Sequence, residues 1–455
     1  SACRHQGEPP AGLKETSPIC HLPLGSTGRT PQMAFTNYRR ERTVHVTLND
    51  VTIQQLFGHE AAEDEDITRL RSYYFKGKVF QRATADLPLR LLVGHKGIGK
   101  SALFQVARQE DIDEGCLAIL LRPDDVYEIS TTASDLLESI RNWKSGLCRI
   151  IYDKSIQAIG ASEFVGAKQV GVSGQIIDAL AKTFKPFLEK AADIDAAKQA
   201  MAKGFLSARK IRIYLDDLDR GWTASKESIL RLSSLLNAAR DLTKEHLGLQ
   251  FRISLRSDVY YLVRTSDEST DKIEGSVVWY SWTNHEILAM LVKRMEAFFG
   301  RQHSEEDLVA MEQSTLAGRL ETVLEPRFFG SGGWSNIPMY RMLMTLIRRR
   351  PRDLVKLCTS AGHKAYERNS NRIDSDDFKA VFDEYSQGRL QDTTNEFRSE
   401  LPAIETLLLN MRPTTQQKKQ GRPYIYTTAE LLKKIGNIQT SQKRFAFYGN
   451  KSATN

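Results

Sequence analysis

The hydrophobic residues of this chain form short unbroken runs that alternate with longer segments of helical spacing. The strand-like runs are Leu91–Val93, Cys116–Leu121, Ile211–Leu215, Leu249–Leu255 and Val277–Trp282. Apolar runs without alternation are typical of parallel strands that are buried on both faces. The pattern therefore predicts a three-layer α/β fold with a central parallel sheet between helices.

The segments between these runs have apolar residues three to four positions apart, which predicts helices. We expect a helix to begin at Asn49-Asp50 and another at Thr283, because both places carry capping residues. The remaining helices of the first half are expected at Ile67–Phe75, Ala102–Arg108, Ser134–Tyr152, Ile176–Lys203 and Glu286–Gly300. A region punctuated by Gly160, Gly166, Gly171 and Gly174 predicts a flexible loop.

The last third of the chain has almost only helical spacing. Helices are predicted at Met339–Ile347, after Arg348–Asp353 through Ala365, from Ser375 to Tyr385, from Thr393 to about Met411, and at Thr428–Ile435. A polar, basic loop is expected at Arg412–Arg422, and the alternating Arg444–Tyr448 predicts a strand. We therefore expect a helical lid followed by a partial winged-helix-like module.

The first chemical motif follows the first strand-like run. Gly94 and Gly99-Lys100-Ser101 complete the pattern glycine, four residues, glycine, lysine, serine of a phosphate-binding loop. The backbone N–H groups of such a loop, from Gly94 and Gly97 to Ala102, surround phosphate oxygens at a helix N-terminus. The motif predicts that Lys100 binds the β- and γ-phosphates and that the Ser101 hydroxyl binds Mg²⁺.

The second motif ends the strand-like run Ile211–Leu215 with two carboxylates. In phosphate-loop enzymes the first acid after this strand supports Mg²⁺, which makes Asp216 the expected metal contact. Asp217 is the candidate base that activates water, although many such enzymes have the longer glutamate there. Without the first motif, the same residues would equally fit a cluster of acids in a turn.

Composition agrees with a folded protein that has a large core. The 455 residues are 41% hydrophobic and 26% charged, and no apolar run has the length of a membrane span. The net charge of +8 permits a nucleic-acid partner without requiring one. Five cysteines without a C-x-x-C pair predict reduced thiols and a cytoplasmic protein.

Together, Gly94–Ser101 and Leu215-Asp-Asp-Leu-Asp-Arg220 resemble the KAP and STAND branches of AAA-like ATPases. The whole chain looks closer to a soluble bacterial P-loop ATPase related to origin-recognition-type ATPases. That likeness includes Leu56-Phe-Gly58, Arg256-Ser-Asp258 and Arg350-Pro-Arg-Asp353. KAP proteins usually carry membrane helices, which this chain lacks. Several such relatives are sensors or switches in bacterial antiviral defence, so the resemblance implies such a role.

The resemblance also implies roles for four arginines. Arg256 matches a first sensor of the γ-phosphate, and Arg352, or less well Arg350, matches a second sensor in the lid. Alternatively, Arg256 only pairs with Asp258. Arg220 would reach the phosphate of its own chain or of a neighbouring subunit, unless it pairs with Asp217 or Asp219. The basic stretch from Arg341 to Lys356 fits a solvated helix face, a sensor or a nucleic-acid surface.

The predicted organisation has five parts. Residues 1–33 are expected to be a disordered or non-native leader, 34–85 a lead-in, 86–290 the ATPase core, 291–395 the lid and 396–455 the C-terminal module. The acidic run Gly58–Asp66 in the lead-in fits a helix start or a contact surface beside the nucleotide.

The sequence predicts Mg²⁺-dependent ATP binding and hydrolysis that drives a conformational or assembly switch. We expect a homo-oligomer, with an effector protein as a further partner and no membrane. The alternatives are a DNA-binding loader that ATP licenses and an inactive, nucleotide-bound scaffold.

Overall fold

A parallel five-stranded sheet is the centre of the computed structural model. The model describes residues 46–127, 129, 135–164, 210–246, 248–266, 268–419, 421 and 426–441. The strands are β1 (Leu89–Val93), β2 (Leu117–Leu121), β3 (Ile211–Leu215), β4 (Leu249–Leu255) and β5 (Val277–Trp279). Their order is β2-β3-β4-β1-β5, and every pair is parallel. The predicted fold class is therefore confirmed.

Alternate residues of β1 belong to two different cores, as the two-residue period of a strand requires. Leu91 and Val93 join the cluster under the helices on one face, whereas Leu92 joins the cluster on the other. Helices cover both faces of the sheet. In the first half these are α1 (Asp50–Phe57), α2 (Ile67–Tyr73), α3 (Lys78–Thr84), α4 (Lys100–Asp113), α5 (Leu136–Phe164), α6 (Lys226–Glu245), α7 (Ser257–Ser266) and α8 (Asn284–Phe298).

The regular structure described after residue 300 is helical apart from one short antiparallel pair, β6 (Arg327–Phe328) and β7 (Ile337–Pro338), and a single parallel bridge between Leu324 and Ile373. The helices are α9 (Glu305–Ala310), α10 (Gln313–Gly318), α11 (Met339–Leu346), α12 (Pro351–Glu367), α13 (Ser375–Phe397), α14 (Ile404–Asn410), α15 (Thr415–Lys419) and α16 (Thr428–Ser441). Helix α12 packs along α13, and α12 also contacts α1. The lid is thereby attached to the lead-in segment that precedes the sheet.

Both predicted helix starts are confirmed, because each is capped by a side chain. The Asn49 side chain accepts a hydrogen bond from the Thr52 N–H at 2.8 Å. Thr283 and Glu286 form a reciprocal capping box at the start of α8. Such caps satisfy backbone donors that have no partner inside the helix.

Several predicted boundaries are wrong. Gly160 lies inside α5, because the helix continues to Phe164. The expected loop Arg412–Arg422 contains the helical turn α15, and the helix predicted from Thr393 is divided by a break between Phe397 and Ile404. The predicted helix Ile176–Lys203, the leader 1–33 and the strand Arg444–Tyr448 lie outside the described residues.

Within the described residues every helix is too short or too polar to cross a bilayer. The described cysteines, Cys116, Cys148 and Cys358, are free thiols. Complete burial raises the pKa of the Cys358 thiol to about 12, so this thiol stays protonated in the core.

Candidate functional site

The loop between β1 and α4 has the backbone shape of a phosphate-binding loop. Gly97 and Gly99 have φ values of +77° and +105°, which residues with a side chain rarely adopt. Gly99 is the N-cap of α4, so the first N–H groups of that helix, including those of Ser101 and Ala102, have no helical acceptor. The Trp282 indole N–H donates to the Ile98 carbonyl oxygen at 2.8 Å and thereby holds the loop in this conformation.

Lys100 lies within this loop and is bound only to backbone oxygens. Its amine donates to the carbonyl oxygens of Gly94 at 2.9 Å and His95 at 3.2 Å. Burial lowers the pKa of the Lys100 amine, while the charges of Asp219 and Asp216 act in the opposite direction. No carboxylate among the described residues forms an ion pair with Lys100. A partly buried ammonium group without an anionic partner is suited to bind a phosphate.

Asp216 and Asp217 follow β3 at the carboxyl edge of the sheet. The neighbouring β4 fixes Asp216, because the Ser254 hydroxyl donates to its carboxylate. Asp217 has a left-handed φ of +57°. Partial burial in the site, together with the charges of Asp219 and Asp216, raises the pKa of Asp217. A carboxylate with a raised pKa is a better proton acceptor than an ordinary aspartate.

Arg256 is part of a buried ion network and is more than a surface arginine paired with Asp258. Its guanidinium forms ion pairs with Asp258 and, at 3.5 Å, with Asp219. It also donates to the backbone oxygen of Glu396 in α13 at 2.8 Å. The end of β4 is therefore linked both to the acid segment after β3 and to the lid.

The structure separates the two candidate lid arginines. Arg352 lies against the phosphate loop: its N–H donates to the Gly97 carbonyl oxygen at 3.3 Å, and its guanidinium donates to the Glu60 carbonyl oxygen at 3.2 Å. Arg350 forms an ion pair with the buried Glu396 carboxylate at 3.1 Å. Arg352 lines the site directly, whereas Arg350 acts on it through Glu396.

Arg220 is exposed and lies at the open side of the site. Its charge opposes the other effects on Asp217 and lowers the pKa of that carboxyl. Within the described chain the Arg220 guanidinium forms no ion pair, so the expected alternative of a pair with Asp217 or Asp219 is wrong.

These groups surround one cleft of about 550 Å³, which is large enough for a nucleotide. All predicted site residues except Gly94 and the alternative sensor Arg350 line it. The acidic lead-in contributes His59, Glu60 and Glu63, and the lid contributes Pro351, Val355, Asn395 and Ser399. The predicted residues that line the cleft lie up to 255 positions apart in the sequence, from Gly97 to Arg352, and thus form one site.

Ser254, Asp219 and Glu396 also line the site, although neither motif assigns them to it. Asp219 was visible as the third acid after β3, and its burial raises the pKa of that carboxyl. Ser254 precedes Arg256 at a strand end, which is a weak signal. Nothing in the sequence around Glu396 indicates that this residue lines the same cleft as the phosphate loop.

Comparisons with known proteins give a family for part of the chain. Residues 285–394 match the FunZ-associated C-terminal helical domain family. A transposon gamma-delta protein of 80.3 kDa from Escherichia coli K12 is 21% identical over 463 residues, covering 86% of this chain. This chain spans 61% of the length of that relative.

Solved structures align with this chain at low identity. A Walker-type ATPase of Pyrococcus abyssi aligns with a TM-score of 0.36 and 14% identity, covering 80% of this chain and 88% of that one. The Orc1 protein of Aeropyrum pernix, solved in complex with DNA, aligns with a TM-score of 0.34 and 14% identity over 86% of each chain. Cdc6p of Pyrobaculum aerophilum aligns with a TM-score of 0.31 and 13% identity over 87% and 85%.

Proposed function

We propose that this protein binds and hydrolyses ATP with Mg²⁺ and uses the reaction to move its lid. The observation that carries the proposal is the position of Lys100. Its partly buried amine contacts only loop carbonyl oxygens, within a glycine loop in the phosphate-binding shape and in the same cleft as a pair of strand-end carboxylates. This combination is suited to a polyphosphate and to little else.

Mg²⁺ fits the residues present. The Ser101 hydroxyl and the Asp216 carboxylate both line the cleft, and oxygen ligands of this kind are the ones that Mg²⁺ prefers. Bound Mg²⁺ would offset the charge that develops on the phosphates. The Ser254 hydroxyl holds the Asp216 carboxylate in place for this task. Because Mg²⁺ keeps several waters and phosphate ligands, two protein ligands are sufficient.

The roles of the other residues follow from their positions. The backbone N–H groups from Gly97 to Ala102 and the Lys100 amine bind the phosphates. Asp217 accepts the proton of the attacking water. Arg352 stabilises the phosphoryl charge from the lid, and Arg220 faces the open side, where a second subunit would complete the site.

The movement that we propose follows from the attachment of the lid. Arg352 binds the loop directly, and Arg256 joins the sheet edge to α13. A nucleotide that changes these contacts changes the position of the lid helices. We propose that this switch controls assembly of the protein or contact with an effector protein, as in a bacterial defence module. The likeness to a transposon-encoded protein supports a mobile element as the genetic setting.

The experiment is a measurement of phosphate release by the purified chain with ATP, with and without Mg²⁺. Mg²⁺-dependent turnover that Lys100→Ala removes supports the proposal. Binding of ATP without turnover would instead identify an inactive scaffold. Failure of the wild-type chain to bind ATP would overturn both.

An ATP-licensed DNA-binding protein is the second candidate. It is favoured by the net charge of +8 and by Arg349, which is exposed and forms no ion pair with a described residue. Binding to a DNA duplex that weakens steeply with salt and requires ATP would establish this function. The absence of such binding at low salt would exclude it.

A further inference from the structure

The end of helix α13 places a carboxylate where phosphate chemistry is expected. Glu396 lies in the last turn of α13, and its side chain is 1% exposed. One carboxylate oxygen pairs with Arg350 at 3.1 Å, while the other, Oε1, is buried without a hydrogen-bond partner. The residue lines the same cleft as Lys100 and Asp216.

This position is costly for a structural residue. A negative charge near a helix C-terminus opposes the helix dipole. A buried carboxylate oxygen without a donor also loses its hydration without compensation. The Arg350 pair offsets only part of these costs. The Glu396 carboxylate therefore lowers the stability of the fold at this position, which points to a role for its charge in the site.

Two arginines converge on Glu396. Arg350 pairs with its carboxylate, and Arg256 donates to its backbone oxygen at 2.8 Å. The Glu396 charge also acts on Lys100, since it is one of the charges that oppose the lowering effect of burial on the Lys100 pKa. Glu396 thus occupies an environment of three cations, which is the environment that a terminal phosphate requires.

We propose that Glu396 holds the last turn of α13 in its nucleotide-free position by taking the place of the terminal phosphate of ATP. The proposal rests on the proposed ATPase function. On binding, the γ-phosphate pairs with Arg350 in place of the carboxylate, repels that carboxylate, and displaces the last turn of α13. ADP lacks the group that competes with Glu396, so it leaves the turn in place. The contact thereby makes the lid respond to the third phosphate.

The proposal predicts a change in discrimination between nucleotides. Glu396→Gln keeps the size of the side chain and removes its charge. We expect it to tighten binding of a non-hydrolysable ATP analogue roughly tenfold, as expected for removing one like charge nearby, while the affinity for ADP stays nearly constant. Arg350→Gln should weaken binding of the ATP analogue relative to ADP, because it removes a proposed phosphate contact and keeps the Glu396 carboxylate.

Asp353→Asn is the matched control. Asp353 is a second buried carboxylate of the lid and pairs with Arg389 and Arg348, but it does not line the cleft. Asp353→Asn should leave the ratio of the affinities for the ATP analogue and ADP unchanged, because it loosens the lid without changing the charge in the site. A ratio that rises equally in Asp353→Asn and Glu396→Gln would show general loosening and overturn the proposal.

Hydrogen exchange of the amides in 393–397 gives a second readout. In the wild type, the ATP analogue should speed their exchange and ADP should not; in Glu396→Gln, exchange should be fast without nucleotide. Suppose that the wild type binds the ATP analogue, but that its amides in 393–397 exchange no faster, or that Glu396→Gln leaves the ratio of the two affinities unchanged. Either result would overturn the proposed role of Glu396 and leave the ATPase function standing. Wild-type protein that binds neither nucleotide would overturn the ATPase function and this proposal with it.

Discussion

Arg352 lies directly on Gly97, so the lid helix α12 begins in contact with the phosphate loop. The Arg352 N–H donates to the Gly97 carbonyl oxygen at 3.3 Å, and a Cβ added at Gly97 would lie 3.3 Å from the Arg352 Cβ. Only a glycine with a left-handed backbone admits this approach without displacing the neighbour. Gly97 therefore belongs to the phosphate loop and also contacts the first turn of the lid helix α12.

Arg352→Ala tests the role of the Arg352 guanidinium, because alanine keeps the backbone N–H and the Cβ that contact Gly97. We expect turnover to fall roughly 100-fold, as for removal of one preorganised donor, with the fold retained. Arg349→Gly is the control for loss of a lid arginine, because Arg349 is exposed and has a left-handed φ of +55° that glycine adopts freely. It should leave turnover unchanged. Unchanged turnover in Arg352→Ala, measured by phosphate release, would contradict the sensor role.

Lys100→Ala tests the phosphate loop. The Lys100 amine contacts only two loop oxygens, so its removal should weaken ATP binding by at least roughly 100-fold and leave the melting temperature nearly constant. Lys226→Ala removes an exposed lysine at the start of α6 and should bind ATP normally. Calorimetric titration measures both. Wild-type affinity in Lys100→Ala would disprove the loop assignment.

Asp216 and Asp217 should differ in the step that they support. Asp216→Ala should weaken Mg²⁺-dependent binding, because the Ser254-fixed carboxylate is the expected metal contact. Asp217→Asn should retain ATP and hydrolyse it roughly 10²–10⁴-fold more slowly, because a general base is lost. The affinities and single-turnover rates distinguish them. An equal loss of ATP affinity in both variants is incompatible with this division.

The raised pKa of Asp217 predicts a pH-dependent stability. A carboxyl with a raised pKa in the folded state takes up a proton more readily than in the unfolded chain, so its ionised form costs stability at neutral pH. Asp217→Asn should therefore melt at a higher temperature than the wild type at neutral pH. The gap should close as pH falls through the raised pKa to the ordinary aspartate range. A difference in melting temperature that grows as the pH falls would contradict a raised pKa of Asp217.

Arg220 predicts assembly. Its guanidinium is exposed beside the cleft and forms no ion pair with a described residue, so a second subunit is the expected source of its partner. We expect a homo-oligomer of Asp217→Asn, which traps ATP, to accumulate with ATP and Mg²⁺ in light scattering. Arg220→Ala should reduce that population. A monomer at every concentration, with and without ATP, would leave a switch that acts on another protein.

The sequence by itself determined the local chemistry. The glycine spacing of residues 94–101 fixed the loop, because a left-handed backbone at Gly97 and Gly99 is a local requirement. The unbroken apolar runs fixed the strands, and the carboxylates after β3 fixed the acid edge, because the ends of parallel strands meet at one edge of a sheet. Helix starts were equally local, since the caps at Asn49 and Thr283 lie within three residues of their acceptors or donors.

The tertiary structure alone decided which distant side chains complete the site. Arg352 and Arg350 have similar surroundings in sequence, and only the fold places one on Gly97 and the other on Glu396. Glu396 carries no sequence signal, because its role depends on where the end of α13 lies relative to β4. Long-range contacts of this kind depend on packing of whole helices, which the periodicity of a single segment does not specify.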